Sequence, residues 1–316
     1  MKILITGGAG FIGSHFVRYC LENHPDYHLV VLDKLTYAGR KENLHDVLHS
    51  VQLIHGDICL PDDVDKAMDG CRLVFNFAAE SHVDRSIIEA GAFVSTNVWG
   101  SYVLLEAARR HRVERFIQIS TDEVYGSCLN GAFTEGDIAN PSSPYAASKA
   151  SADLLALSYA KTYRLPVLVT RSSNNFGPYQ YPEKFIPLFI TNAIAGKPLP
   201  VYGDGRNIRD WLPVQDNCAA IDVVSHRGTA GEIYNIAAQN ERENLEIADQ
   251  ILHLLKKPRK LIHFVPDRLA HDRRYALKVT KITALGWVAA TPFNAALTDT
   301  VKWYQNNQWW WKPLTQ

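Results

Sequence analysis

Short apolar runs rich in β-branched and aromatic residues recur along the first half of the chain, and each breaks off into a polar or glycine-rich turn. Residues 2–6, 29–33, 51–55, 73–77, 115–119 and 167–171 all have this form. Between them apolar residues return at helical spacing, as in Phe16, Val17, Cys20 and Leu21 and along 97–110 and 148–162. Strands alternating with helices predict a doubly wound parallel α/β sheet, Rossmann-like, with helices covering it. After Arg171 the pattern dissolves into loops rich in Asn, Pro and Gly, among them Ser173-Asn174-Asn175-Phe176-Gly177-Pro178-Tyr179 and Val201-Tyr202-Gly203-Asp204-Gly205. That change predicts a smaller α+β domain draped over the sheet edge. The expected division is residues 1–172, with about 207–238 returning to the sheet, and mainly 173–316.

The first run feeds Gly7-Gly8-Ala9-Gly10-Phe11-Ile12-Gly13-Ser14 and then the first helix. Glycines in such a turn allow tight turning and close approach of backbone to a pyrophosphate, whose charge then meets the amino end of the helix. A tight turn without a ligand is the plainer alternative, and the strand, turn and helix context favours the dinucleotide. Asp33 ends the second run about twenty residues beyond the glycines. An acid there accepts both ribose hydroxyls of an adenosine and repels a 2′-phosphate, so NAD is expected over NADP. Asp57, ending the third run, would meet the adenine or cap a helix starting at Pro61. Ala78 and Ala79 are small enough to pack against a cofactor, and the polar stretch Glu80 to Ser86 follows at the same edge.

The fifth run ends in Ser120-Thr121-Asp122-Glu123. Carboxyl ends of parallel strands face the crevice where ligands bind, which puts two acids there. A solvated turn with a helix cap is the alternative. Tyr145 and Lys149 stand one helical turn apart on one face. A cation so placed favours an ionised phenol and makes Tyr145 a candidate base. Exposed helix faces often carry that spacing, so its weight lies in the combination with the glycine turn. Later in the chain Lys184, Arg206, Arg209, Arg242, Arg273 and Arg274 suit either a diphosphate or a solvated surface. Tyr202 and Tyr275 would flank a base or simply pack, and Trp303 and Trp309-Trp310-Trp311 are expected to pack against the body.

Composition narrows the partners. Of 316 residues 47% are hydrophobic, enough for a substantial core, and Lys plus Arg balances Asp plus Glu at 33 each. No strong net field calls for nucleic acid or a membrane surface. The five cysteines are scattered and the twelve histidines follow no zinc pattern, so reduced thiols and no metal are expected. With no basic leader and no long apolar span, cytoplasmic residence is the expectation.

The Thr6 to Gly13 turn together with Tyr145-Ala146-Ala147-Ser148-Lys149 resembles the extended short-chain dehydrogenase/reductase family of nucleotide-sugar enzymes. Leu32-Asp33-Lys34-Leu35-Thr36-Tyr37-Ala38-Gly39, Ala78 to Ser86, Ser120 to Gly126, the 174–187 loop, Ile208-Arg209-Asp210-Trp211-Leu212 and His271-Asp272-Arg273-Arg274-Tyr275-Ala276 are similar to its dTDP-glucose 4,6-dehydratase branch. The likeness covers nearly the whole chain. Thr121-Asp122-Glu123 discriminates best, since related epimerases lack the acid pair and GDP-mannose dehydratases and sugar-acid decarboxylases usually keep only the glutamate.

The resemblance implies a hydro-lyase that turns dTDP-glucose into a 4-keto-6-deoxy sugar with NAD recycled. Tyr145, kept as phenolate by Lys149 and the nicotinamide charge, takes the C4 hydroxyl proton with help from Thr121. Glu123 acts as base at C5 and a protonated Asp122 as acid toward the C6 hydroxyl. Gly7, Gly10, Phe11, Ile12, Gly13, Asp33, Lys34, Thr36, Asp57, Ile58, Ala78, Ala79, Ser120, Tyr145 and Lys149 are the implied NAD contacts. Asn174, Lys184, Arg209, Asn244, Arg274 and Tyr275 are implied to hold the diphosphate, with Ser81 or His82 near the sugar. A homodimer formed through the helices at 97–110 and 148–162 is implied as well. Pro213, Leu269, Ala270 and Lys278 depart from the family pattern and bear on the base and hexose. A UDP-sugar dehydratase, decarboxylase or epimerase is the neighbouring reading, and a NAD-binding regulator without turnover the more distant one.

Overall fold

The computed structural model describes residues 1–267, 269 and 271–315, so Ala270 lies outside the described residues. Its strands are β1 (Lys2–Thr6), β2 (His28–Asp33), β3 (Gln52–His55), β4 (Leu73–Asn76), β5 (Arg115–Thr121), β6 (Val167–Ser172), β7 (Asn174–Phe176), β8 (Leu199–Tyr202), β9 (Ile208–Pro213), β10 (Ile233–Ile236), β11 (Glu241–Glu243) and β12 (Ile262–Val265). Seven form one sheet in the order β10-β6-β5-β4-β1-β2-β3, and every pairing in it is parallel. The chain runs outward one way from β1 through β2 to β3, then crosses to β4 and runs the other way. The crevice beyond the carboxyl ends of β1 and β4 is therefore a topological switch point.

Strand periodicity divides the core into two layers. Ile3 and Ile5 of β1 join Val31, Phe75 and Ile117 in a cluster that includes Phe16 and Val17 of helix Phe11–Asn23. Leu4, between them, faces the opposite way with Val30, Val74 and Phe116, against Val103, Leu104 and Ala107 of helix Ser101–His111. Side chains alternate across a strand, so an unbroken apolar run serves two helical layers at once. A third cluster, with Phe176, Phe189, Trp211, Ile247 and Tyr304, gathers helices Phe185–Ala195, Asn244–Leu254 and Phe293–Asn306.

The 207–238 segment links these regions. β9 pairs with β7 and β11 in a second sheet, helix Val214–Arg227 packs on the first helix, and β10 joins the main sheet beside β6. Pro213 stands just before that helix with φ −56°, a value its ring already imposes. Leu269 is exposed, and the Lys278 amide donates to the Phe133 carbonyl at 2.8 Å.

Two helices differ from the sequence reading. The stretch at 97–110 enters through wide π turns over Val94–Gly100 and becomes α-helical only at Ser101–His111. The helix expected at 148–162 starts earlier, at Pro144–Tyr163, because Ser143 Oγ accepts from the Ala146 amide at 3.2 Å and proline suits the first turn. Trp310 and Trp311 are buried, and Trp310 Nε1 donates to Asn43 Oδ1 at 2.8 Å, tying the carboxyl end to the segment after β2. Trp309 is half exposed and meets the His45 ring edge-on with centroids 5.3 Å apart. No helix among the described residues is long and apolar enough to cross a membrane.

Candidate active site

A cleft of about 320 Å³ opens along the carboxyl ends of β1, β2, β4 and β5. Its floor is the glycine turn. Gly7 has φ +65°, and a Cβ there would lie 2.6 Å from the Ala78 amide nitrogen; at Gly13 a Cβ would lie 2.3 Å from the Gly7 carbonyl oxygen. Only glycine lets the turn lie this close to β4 and to its own helix. Gly10, Phe11, Ile12, Thr36, Ile58 and Ala79 also line the cleft.

Asp33, at the end of β2, is held by two amides. Ala9 donates to one oxygen at 2.9 Å and Leu35 to the other at 2.8 Å. Burial pushes its carboxyl up, and these two N–H groups oppose the shift. Lys34 pairs with Asp57 at 2.7 Å. Asp57 does not cap the following helix: helix Pro61–Met68 is preceded by Leu60 and has no side-chain cap. Asp57 instead accepts the Cys59 amide at 2.9 Å, while Asp63 reaches back to the Asp57 amide at 2.8 Å. The carboxylate thus lines the cleft beside Lys34.

At the end of β5 the cap and the site coincide. Thr121 Oγ1 accepts from the Glu123 amide at 3.3 Å, starting a short 3₁₀ turn over Asp122–Tyr125, and donates to Asp122 Oδ1 at 3.3 Å. Asp122 is 2% exposed, and its Oδ2 has no hydrogen-bond partner. Burial first, and then the Glu123 charge, push its carboxyl well up, with Arg209 opposing. Burial and a neighbouring like charge both favour the protonated form of a carboxyl.

Tyr145 and Lys149 share one face of helix Pro144–Tyr163, and both line the cleft. The sequence reading made Lys149 the direct support of an ionised phenol, and here the protein places its charge differently. Lys149 Nζ donates to the Ile119 carbonyl at 2.6 Å. Burial and then Glu123 push the Tyr145 phenol up, against a hydrogen bond from Thr121. Burial lowers Lys149 to about 8, with Asp153 opposing.

On the opposite wall the expected residues divide. Ser81, Asn174 and Lys184 line the cleft, and Lys184 Nζ donates to the Ser81 carbonyl at 2.7 Å. His82, Arg209, Asn244, Arg274 and Tyr275 are outside this lining. His82 caps helix Val83–Ile88. Arg209 donates to the Asp272 carbonyl at 2.9 Å and lies 4.4 Å over the Tyr275 ring. Tyr275 donates to Asp272 at 2.7 Å. Arg274 makes a two-pronged pair with Glu241 at 2.6 and 2.8 Å. Asn244 begins its helix with a buried Oδ1 that has no donor.

Sequence reasoning missed Tyr37, Asn175, Gln180, Tyr181 and Glu183, which also line the cleft. Tyr37 Oη donates to Glu183 Oε1 at 2.8 Å and Arg85 to Oε2 at 3.1 Å, so three segments distant in sequence meet on one carboxylate. No periodicity marks such residues; the signal available was the polar content of the 174–187 loop. The expectation of no metal site rested on linear spacing. In three dimensions His24, Asp222 and His226 bring one ligand atom each within 4.8 Å of one another, outside this cleft.

With this geometry in place, relatives can be weighed. The family model described as GDP-mannose 4,6 dehydratase matches residues 4–300. A dTDP-glucose 4,6-dehydratase of Streptomyces niveus is 51% identical over 99% of this chain and 96% of its own. The low-salt glycan biosynthesis protein Agl12 of Haloferax volcanii is 52% identical over 96% of this chain and 98% of its own. Among solved structures, the dTDP-glucose 4,6-dehydratase DesIV of Streptomyces venezuelae, crystallised with NAD and dTDP bound, superposes with a TM-score of 0.97 at 47% identity, covering 99% of this chain and all of the other. The UDP-glucose 4-epimerase of Thermotoga maritima shares the architecture at 28% identity and a TM-score of 0.92, over 98% of this chain and all of its own. Matched nearly end to end and about half identical to its dehydratase relatives, the chain belongs to the nucleotide-sugar 4,6-dehydratases of the extended short-chain dehydrogenase/reductase family.

Proposed function

We propose that the protein is a dTDP-glucose 4,6-dehydratase, a hydro-lyase that converts dTDP-glucose to dTDP-4-keto-6-deoxyglucose and water. The observation that carries this reading is the acid pair at the end of β5, Asp122 buried and Glu123 partly buried, in one cleft with Tyr145 and Lys149. A simple epimerase has no use for that pair.

The cleft fits NAD. Its glycine cradle has no room for a Cβ at Gly7 or Gly13, and the Asp33 carboxylate is ready for a ribose. Gly7, Gly10, Phe11, Ile12, Gly13, Asp33, Lys34, Thr36, Asp57, Ile58, Ala78, Ala79 and Ser120 would hold it, with Tyr145 and Lys149 at its reactive end. Bound there, NAD would supply a reversible hydride acceptor.

The chain's own residues move the protons. Tyr145 takes the proton of the C4 hydroxyl, and Thr121 orients that oxygen. Burial and Glu123 raise the phenol, and the Thr121 hydrogen bond opposes that rise and favours the phenolate. The 4-ketone acidifies the C5 hydrogen, which Glu123 removes. Asp122, whose carboxyl burial and Glu123 push up toward the protonated form, acts as the acid that donates to the departing C6 hydroxyl, and water leaves across C5 and C6. Glu123 then returns a proton to C5. Asn174, Lys184, Arg209, Asn244, Arg274 and Tyr275 hold the nucleotide diphosphate, with Ser81 or His82 at the sugar. For Arg274 this requires exchanging part of its pairing with Glu241 for phosphate.

The same reading divides the chain at about 172/173, places it in the cytoplasm, and pairs two copies through helices Ser101–His111 and Pro144–Tyr163. Trp99, in the Val94–Gly100 π segment that leads into the first of these helices, and Leu154, on the second, are apolar and 51% and 63% exposed. The deciding experiment incubates purified protein with dTDP-glucose and, separately, UDP-glucose, and follows loss of one water by mass spectrometry. Product from the thymidine compound alone is expected. Product from the uridine compound alone would move the base preference, and carbon dioxide release or isomerisation would overturn the reading.

A further inference from the structure

We propose that His24, Asp222 and His226 form a transition-metal site, with Zn²⁺ as its ion, on the far side of the fold from the cleft. His24 ends helix Phe11–Asn23, and Asp222 and His226 stand one turn apart on helix Val214–Arg227. One carboxylate oxygen serves both rings: Asp222 Oδ1 is 2.8 Å from His24 Nε2 and 3.3 Å from His226 Nδ1. The two imidazoles stack with centroids 5.1 Å apart and planes 18° apart, and one ligand atom from each of the three residues lies within 4.8 Å of the others; His226 Nδ1 is also 2.9 Å from the Asp222 carbonyl oxygen and 3.0 Å from Ser225 Oγ, contacts it gives up when it binds the ion. Two imidazoles and a carboxylate are a borderline-soft donor set that suits Zn²⁺, Co²⁺ or Ni²⁺, leaving a position for water. A ligating histidine needs a partner for its other ring nitrogen, and that partner is present: Tyr27 Oη lies 2.8 Å from His226 Nε2. Occupancy would clip the first helix to one that follows some two hundred residues later, at the packing between them.

The test titrates the chelator-treated protein, with its native cofactor, with ZnCl₂ by calorimetry, and with CoCl₂ by visible absorption. One equivalent is expected to bind, Co²⁺ to give the intense bands of low coordination, and Zn²⁺ to raise Tm. His24→Gln and His226→Gln, with dehydratase activity retained as the check on folding, should each abolish all three effects. Unchanged stoichiometry in both variants, or no binding to the natural chain, would overturn the site.

A second, independent observation concerns the buried carboxylate behind the cleft. Asp153 lies one turn beyond Lys149 on the same helix and is fully buried. Its Oδ2 accepts from Ser120 Oγ on β5 at 2.9 Å and from Arg171 Nε on β6 at 2.9 Å, while Oδ1 has no hydrogen-bond partner. Arg171 in turn lies 4.6 Å over the ring of Tyr125, whose hydroxyl donates to Asn235 at 2.9 Å. The geometry points to Asp153 as the positioning residue of the Tyr145 and Lys149 pair, fixing Ser120 at the end of β5 and setting a negative charge one turn below Lys149. The charged or titratable groups around it are Lys149 and Tyr145 on its own helix, Arg171 on β6, and Tyr125 behind the arginine.

This inference rests on the dehydratase reading, and its signature is directional. The Asp153 charge raises both Lys149 and Tyr145. Asp153→Asn should therefore move both limbs of the pH profile of kcat to lower pH, by roughly one unit, with KM and bound NAD little changed. The double variant Asp153→Asn with Arg171→Gln also removes the opposing cation, and its limbs should lie between. A role in folding alone would lower the amplitude and leave the limbs in place, which would overturn the assignment. No turnover by the natural chain would instead sink the dehydratase reading itself.

Discussion

The two walls of the cleft are built in different ways. On the cofactor side each side chain is positioned by the strand or turn that carries it. Gly7 follows β1, Asp33 ends β2, Ala78 follows β4, and Thr121 caps the turn it begins. On the substrate side the side chains are positioned by one another. Arg209 lies over Tyr275, Tyr275 bonds to Asp272, Arg274 pairs with Glu241, and Glu183 gathers Tyr37 and Arg85. The first wall is set by local geometry with groups left to meet a ligand, such as the unpartnered oxygen of Asp122. The second consists of charges already paired, and a ligand there must compete with the protein's own partners. Recycled cofactor and exchanged substrate fit these two walls respectively.

The contrast makes graded predictions. Tyr145→Phe, on the preset wall, should cost on the order of a thousandfold in dehydration rate while NAD content stays unchanged. Asp122→Asn keeps the shape and cannot donate a proton as the acid does. Elimination should slow by about a hundredfold while C4 oxidation persists, seen as reduced cofactor accumulating in a single turnover. Unchanged dehydration would remove Asp122 from the mechanism. Arg274→Gln, on the paired wall, should raise KM by about tenfold with kcat nearly intact, since one charge-assisted contact to a diphosphate is lost. An unaltered KM would confine Arg274 to its pairing with Glu241.

The smallest effect is in pH. Lys149, lowered by burial to about 8, loses its positive charge as pH rises through that value, so turnover should decline several-fold on the alkaline side. Stability should move the opposite way. Between about 8 and the ordinary 10.5 the unfolded chain binds the proton that the folded chain has released, so this residue's contribution to stability grows as pH rises across that window. A Tm series across this range in the natural chain and in Lys149→Met separates it from other groups.

Much of the cofactor wall was legible because its signals are local. An apolar run, a glycine turn and a terminal acid lie within a few residues of one another, and strand and helix periods carry each side chain to a predictable face. Even there, tertiary packing altered details: Asp57 gave up a helix cap for Lys34, and the Lys149 ammonium went to the Ile119 carbonyl. The family resemblance supplied the substrate residues, but the sequence had no means of showing that Arg274 is paired with Glu241.

By itself, then, the amino-acid sequence determined the alternation of strands and helices, the glycine cradle, the acid at the end of β2, and the joint presence of Thr121, Asp122, Glu123, Tyr145 and Lys149. Each depends on residues near in the chain, where sterics and periodicity act directly. Tertiary structure alone decided which charges are buried, which are already paired, and where Asp153, Glu183 and the His24, Asp222 and His226 group come to lie. Those outcomes depend on contacts between segments far apart in the chain, and on desolvation that no local pattern records.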